Sequence, residues 1–232
     1  MINNATFIIP FRKDCEERLR NLVHVTDFIF KNICSNIIVC EHDKESQNKD
    51  TVEQIGARYI FEPMEDCFHR TKILNLMTKM AETDIIVNQD VDVLTFPFGY
   101  NQAVKKIGDN EDCMFCFPYD GRFQNVDIFD EAAIKNGDFN SLFYTCAISD
   151  SVGGCFVFDR TRYEKIGLEN EEFRGWGFED NERVLRAKQN GYQIERISGP
   201  LWHFNHPETS TSGPKHKDVQ NNYKMLESLR RK

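Results

Sequence analysis

An alternation constrains this chain most: in the first ninety residues, four short apolar runs are separated by three stretches whose apolar residues recur at helical spacing. Residues 6–10 form an apolar run closed by proline and read as a buried strand. Residues 16–31 follow with Leu19, Leu22, Val23 and Phe30 on one helical face, and 36–40 form a second buried strand. A weaker helix at 52–57, a strand at 59–61, a helix at about 69–81 and a strand at 84–88 continue the pattern. Strands and helices taking turns imply an α/β fold, a sandwich of helices around a mostly parallel sheet.

The second half is less regular. Residues 113–118 read as a strand, whereas 120–150 mix glycine, asparagine and aromatics without a period and read as a functional loop region. Strand 154–158, helix 161–166, a glycine-rich turn at 175–177 and helix 180–190, stopped by Gly191, come next. Strands at 193–197 and 201–204, a linker at 209–213 and a terminal helix at 218–230 complete the chain. With 232 residues, of which 40% are hydrophobic, one substantial core is expected, and hence a single domain over 1–232.

The net charge of −8 argues against a broad basic face for nucleic acid or anionic membrane. Several of the eight cysteines sit inside apolar runs, where small buried thiols pack well. Cys113 and Cys116 have zinc-like spacing but no second pair to complete a site. No apolar stretch is long enough to span a membrane and no signal-like start is present, so the expectation is a chain without a transmembrane segment in a reducing, cytoplasmic setting.

Chemistry concentrates at strand ends. The run at 85–87 leads into Asp90-Val91-Asp92, and the carboxyl end of a strand in an open α/β sheet is where ligands bind. Two carboxylates so spaced could share one hard cation, or form only a solvated turn. His203 and His206 follow the strand that begins at Leu201, and imidazole beside carboxylate suits Mn²⁺ better than Mg²⁺ or Ca²⁺. Gly175-Trp176-Gly177-Phe178-Glu179-Asp180 offers a flat ring for a sugar and two acids, one of which could take a proton. Alternatively, Asp180 caps the helix and Glu179 complements its dipole. Pro10-Phe11-Arg12 and Phe68-His69-Arg70 bring aromatic and cationic groups near the same sheet edge. Gly153-Gly154 marks a close backbone approach to a ligand, or a bulge. The charge cluster at 14–20 reads as a solvated helix face.

In order along the chain, Phe7-Ile-Ile-Pro-Phe-Arg12, Phe68-His-Arg-Thr-Lys-Ile-Leu-Asn75, Asp90-Val-Asp92, Val152-Gly-Gly154 and Gly175-Trp-Gly-Phe-Glu-Asp180 resemble the β-1,4-galactosyltransferase family and its relatives of the GT-A fold. The resemblance implies a Rossmann-like GT-A three-layer sandwich, with 6–95 as nucleotide-binding half, 96–206 as acceptor and catalytic half, and 207–232 as C-terminal tail. It places Pro10, Phe11, Arg12, Asp43, Arg70, Asp90, Val91, Gly153, Gly154 and Trp176 at a UDP-sugar. Asp92 would bind Mn²⁺, or Mg²⁺ in its stead, and Asp180 would be the catalytic base with Glu179 as its companion. The family's ligand segment resembles Met-x-x-His, whereas the matching stretch here is His203-Phe-Asn-His206, so His203, His206 or both complete the metal site.

The implied activity is inverting, Mn²⁺-dependent transfer of a hexose or N-acetylhexosamine from a UDP-sugar donor to a carbohydrate or other hydroxyl acceptor. Ser151 stands where the family has a bulky residue lining the donor pocket, which leaves room for an N-acetyl group. A catalytically silent nucleotide-sugar or glycan-binding module is the alternative. A nucleotidyltransferase is disfavoured, because the segment after the first strand, Arg12-Lys-Asp-Cys-Glu16, lacks the glycines of a phosphate loop.

Overall fold

The short apolar runs become the strands of one sheet, and the helical stretches cover it. The computed structural model describes residues 1–207, 209 and 217–231, apart from the side chains of Cys146 and Ala147. The first half runs β1 (Ala5–Phe11), α1 (Glu16–Asn32), β2 (Ile37–Asp43), α2 (Lys49–Ile55), β3 (Arg58–Pro63), α3 (Arg70–Met80) and β4 (Ile85–Gln89). These strands pair in parallel, β4 to β1 to β2 to β3. β1 is buried at every position, as an apolar run without alternation requires when both faces of a sheet are covered.

The second half contributes β5 (Val93–Leu94), α4 (Pro97–Asp109), β6 (Cys113–Phe117), β7 (Phe123–Val126), α5 (Glu131–Asn136), β8 (Tyr144–Ile148), β9 (Cys155–Asp159) and α6 (Arg160–Lys165). It ends with α7 (Glu179–Gln189), β10 (Gln193–Arg196), β11 (Leu201–Phe204) and α8 (Val219–Arg230). Three of its strands extend the central sheet to the order β10-β6-β9-β4-β1-β2-β3. Only β9 runs antiparallel to its neighbours there. A second sheet, β5-β11-β7-β8, stands at the carboxyl end of β4.

The expected loop region at 120–150 is corrected by this second sheet: β7, α5, a 3-10 turn at Phe139–Ser141 and β8 lie within it. Its period was hidden because the strands are short and α5 is a six-residue helix, capped by the Asp130 side chain and closed by Gly137 at φ +69°. Phe139 and Trp202 stack face to face with centroids 4.9 Å apart and bind this layer to the core. Of the expected linker at 209–213, all but Thr209 lies outside the described residues. No helix among the described residues is long and apolar enough to cross a membrane.

Candidate active site

β4 ends at Gln89, and a tight turn carries Asp90, Val91 and Asp92 into β5. Buried Gln89 braces that turn, donating to the carbonyls of Asp90 and Val93 and accepting from the Tyr100 hydroxyl. The backbone N–H of Phe204 donates to the Asp92 carbonyl at 2.7 Å, so the second sheet sets Asp92 beside His203 and His206. The turn also separates the two carboxylates. Asp90 faces Arg70 at 2.7 Å, whereas ligand atoms of Asp92, His203 and His206 lie within 4.8 Å of one another. Same-side geometry for i and i+2 holds in an extended strand, and Asp90 to Asp92 are not in one.

The Asp92 corner is built for positive charge. Burial alone would raise this carboxyl's pKa, but a hydrogen bond with His206 and the charges of His203 and Arg18 hold it well below the usual range. His203 is pushed down by burial and so favours the neutral form that ligates metals, and its Nδ1 lies 2.9 Å from Asn125 Oδ1. Arg18 reaches in from α1, 3.2 Å from Asp92 and 3.0 Å from His206 Nε2, and pairs with Asp14 at 3.0 Å. The expected solvated face at 14–20 is thereby corrected: Arg18 and Asp14 both line the cleft. Two nitrogens and one carboxylate oxygen fit a borderline divalent ion.

The opposite corner holds Glu179 and Asp180 in the first turn of α7. Phe178, at φ +73°, takes the N-cap position, so Asp180 is not the cap, while both acids stand in the first turn of α7 as the helix dipole favours and the Glu179 carboxylate accepts from a first-turn backbone N–H. Asp180 instead accepts from Arg183 at 2.9 Å, one helical turn on, and lies 3.6 Å from Arg70. Arg183 is wholly buried, locked to Glu169 at 2.8 Å and laid over the Phe156 ring. Burial, then the charge of Asp180, pushes Glu179 up to about 7. Burial likewise raises Asp90, with Arg70 offsetting part of the effect.

Both corners open onto one cleft of about 750 Å³, within the range of small-molecule sites. Pro10, Arg12, Arg70, Val91, Ser151 and Trp176 line it as well. Phe11 is placed differently from the expectation, because its side chain is wholly buried and outside the lining, while its strand neighbours Pro10 and Arg12 face the cleft. Asp43 lies outside the lining too and pairs with Arg12 at 3.7 Å. Gly153 and Gly154 stand at close approaches: a Cβ at Gly153 would lie 2.7 Å from Asp180 Oδ2, and one at Gly154, where φ is +79°, 2.7 Å from Leu201. Cys113 and Cys116 are buried on β6 with thiols pushed up to about 11 and about 12, as inert packing groups.

A family model described as the N-terminal domain of galactosyltransferase matches residues 138–210, a stretch containing Gly153, Trp176, Glu179, Asp180, His203 and His206. The chain is 23% identical over 195 residues to mouse (Mus musculus) beta-1,4-galactosyltransferase 7, covering 83% of this chain and 46% of that protein. It therefore spans under half the length of that relative. Among solved structures, the catalytic domain of Drosophila beta1,4galactosyltransferase 7 in complex with xylobiose superposes with a TM-score of 0.58 at 17% identity, over 97% of this chain and 80% of that one. GalNAc-T7 with UDP, GalNAc and Mn²⁺ superposes with a TM-score of 0.68 at 12% identity, over 97% and 48%. The chain is accordingly galactosyltransferase-like in sequence and of the GT-A fold.

Proposed function

We infer that the protein is an inverting, Mn²⁺-dependent glycosyltransferase that moves a hexose or N-acetylhexosamine from a UDP-sugar to a hydroxyl of a carbohydrate or glycosylated acceptor. The observation that carries this reading is one cleft with two unlike ends: a metal-donor set of Asp92, His203 and His206, and a carboxylate pair at Glu179 and Asp180. A Drosophila beta1,4galactosyltransferase 7 mutant of the same fold was solved with manganese, UDP-Gal and xylobiose, which supports the same classes of ligand here.

A divalent ion held by Asp92, His203 and His206 would neutralise charge growing on the diphosphate as it leaves. Arg12 and Arg70 face the cleft as diphosphate and donor contacts, with Asp43 orienting Arg12 and Asp90 orienting Arg70. Trp176, 40% exposed on the cleft rim, offers its ring to a sugar. Asp180 accepts the proton of the incoming hydroxyl while that oxygen attacks the anomeric carbon and the bond to the diphosphate breaks on the opposite face. Arg183 and Arg70 hold Asp180 in place for this role.

The test is UDP release from a panel of UDP-sugars with Mn²⁺, Mg²⁺ or chelator, first with water and then with sugar acceptors. Chelator-sensitive release supports transfer and names the donor or donors. Release from UDP-GalNAc or UDP-GlcNAc is expected beside UDP-Gal, because Ser151 presents a small side chain to the cleft. Metal-dependent UDP binding without turnover on any acceptor would instead indicate a silent binding module.

A further inference from the structure

The loop that carries Trp176 is held from a distant part of the chain. Asn222, in the first turn of α8, is 2% exposed, and its side-chain nitrogen donates to three backbone carbonyls: Arg174 at 2.9 Å, Trp176 at 3.2 Å and Gly177 at 3.0 Å. Three carbonyl oxygens converging on one point repel one another unless a donor stands between them. An amide nitrogen carries two protons, one of them shared between two of the three carbonyls, and no lone pair to oppose them, so this orientation of Asn222 suits the cluster and the flipped one does not.

The loop needs such a brace. Gly175, Gly177 and Phe178 all have positive φ, at +66°, +97° and +73°, and for phenylalanine that conformation is strained. Next to Asn222, Tyr223 sets its ring 5.4 Å from that of Phe178. α8 packs against α7, with a bond from the Gln189 side chain to the Leu229 carbonyl, and buries Leu226 at 1% exposure. The strained loop leads directly into Glu179 and Asp180.

We propose that Asn222 is a positioning residue for transfer: from the C-terminal helix it sets the height and tilt of Trp176, and so completes the acceptor-sugar platform of the cleft. The proposal rests on the transferase reading above for its kinetic consequence, but not for its structural one. UDP held by the metal corner and Arg12 does not depend on the brace.

The experiment compares Asn222→Ala and Asn222→Asp with the parent chain. The alanine removes the donors, and the near-isosteric aspartate turns lone pairs toward the three carbonyls. Far-UV circular dichroism and thermal melting establish folding, calorimetry measures UDP with Mn²⁺, and acrylamide quenching reads tryptophan exposure. Trp202 is 2% exposed, so quenching reports Trp176. The expected result is UDP affinity within about twofold of the parent, stronger quenching, and an acceptor KM raised on the order of tenfold in the alanine variant and further in the aspartate variant. Should the aspartate variant not fold, the alanine variant decides. A folded Asn222→Ala protein with parental quenching and parental acceptor KM overturns the proposal. If the parent turns over no donor, the transferase reading fails, while changed or unchanged quenching still supports or overturns the brace.

Discussion

The two acidic corners of the cleft use the same residue types to opposite ends. At Asp92, one carboxylate is ringed by two imidazoles and the Arg18 guanidinium, and its surroundings favour the ionised form despite burial. At Glu179 and Asp180, two carboxylates crowd together over Arg70 and Arg183, and burial with like charge drives Glu179 toward the protonated form. A carboxylate that stays charged suits a cation, whereas one raised toward neutrality can take up and give back a proton near pH 7. The difference is set by neighbours contributed from separate elements: α1, β11 and the segment just after it for the first corner, α3 and α7 for the second.

Changing one corner should leave the other's property intact, and the largest effect is expected at Asp92. Asp92→Ala should weaken Mn²⁺ binding on the order of a hundredfold or more by calorimetry and abolish transfer, while Glu179 keeps its raised pKa. Retained Mn²⁺ affinity would break the assignment of that corner. Gly153→Ala puts a methyl against the Asp180 carboxylate and should lower kcat on the order of a hundredfold with Mn²⁺ affinity unchanged. A normal kcat would mean that Asp180 has room to retreat and its present position is not the working one. Asn125→Ala removes the partner of His203 Nδ1, and Mn²⁺ affinity should fall about tenfold. An unchanged affinity would leave His206 as the imidazole that matters.

The smallest effect concerns stability. The folded pKa of Glu179, about 7, stands above its ordinary 4.5, so folding takes up a proton there. Its stabilising contribution is complete below pH 4.5 and is lost as pH rises through 7. Glu179→Gln, neutral throughout, should therefore lose less stability than the parent between pH 5 and pH 8, by about 1–3 kcal/mol in urea titrations. Parallel losses in the two proteins would show that Glu179 is not the group being titrated.

The same contrast explains what could be read from residues alone. The β1 to β4 alternation was legible because buried parallel strands are continuous apolar runs and their helices keep a 3.6-residue period. The second sheet was not, since β7 and β8 are four or five residues long in an irregular stretch and the pairing of β7 with β11, itself read as a strand at 201–204, joins segments far apart in sequence. Asp92, His203, His206, Glu179 and Asp180 stood out as acids and imidazoles at strand and helix ends, and the fold brings all five to one cleft. Arg18, read as part of a solvated helix face, and Asn125, Arg183 and Asn222, which went unnoticed, were missed for a different reason. Each acts through a partner on another element or one helical turn away, and the Asp14 to Arg18 and Asp180 to Arg183 spacings are the sequence hints of a pair. Phe11 shows the converse, a motif residue whose side chain the strand turns into the core.

The most direct test of the division between the corners is Asp180→Asn, with UDP binding in Mn²⁺ and sugar transfer measured on the same preparation. The account predicts UDP affinity within about twofold of the parent and kcat lower by roughly 10²–10⁴. Undiminished transfer, or loss of UDP binding alongside it, would contradict a cleft in which one end holds the donor and the other takes the proton.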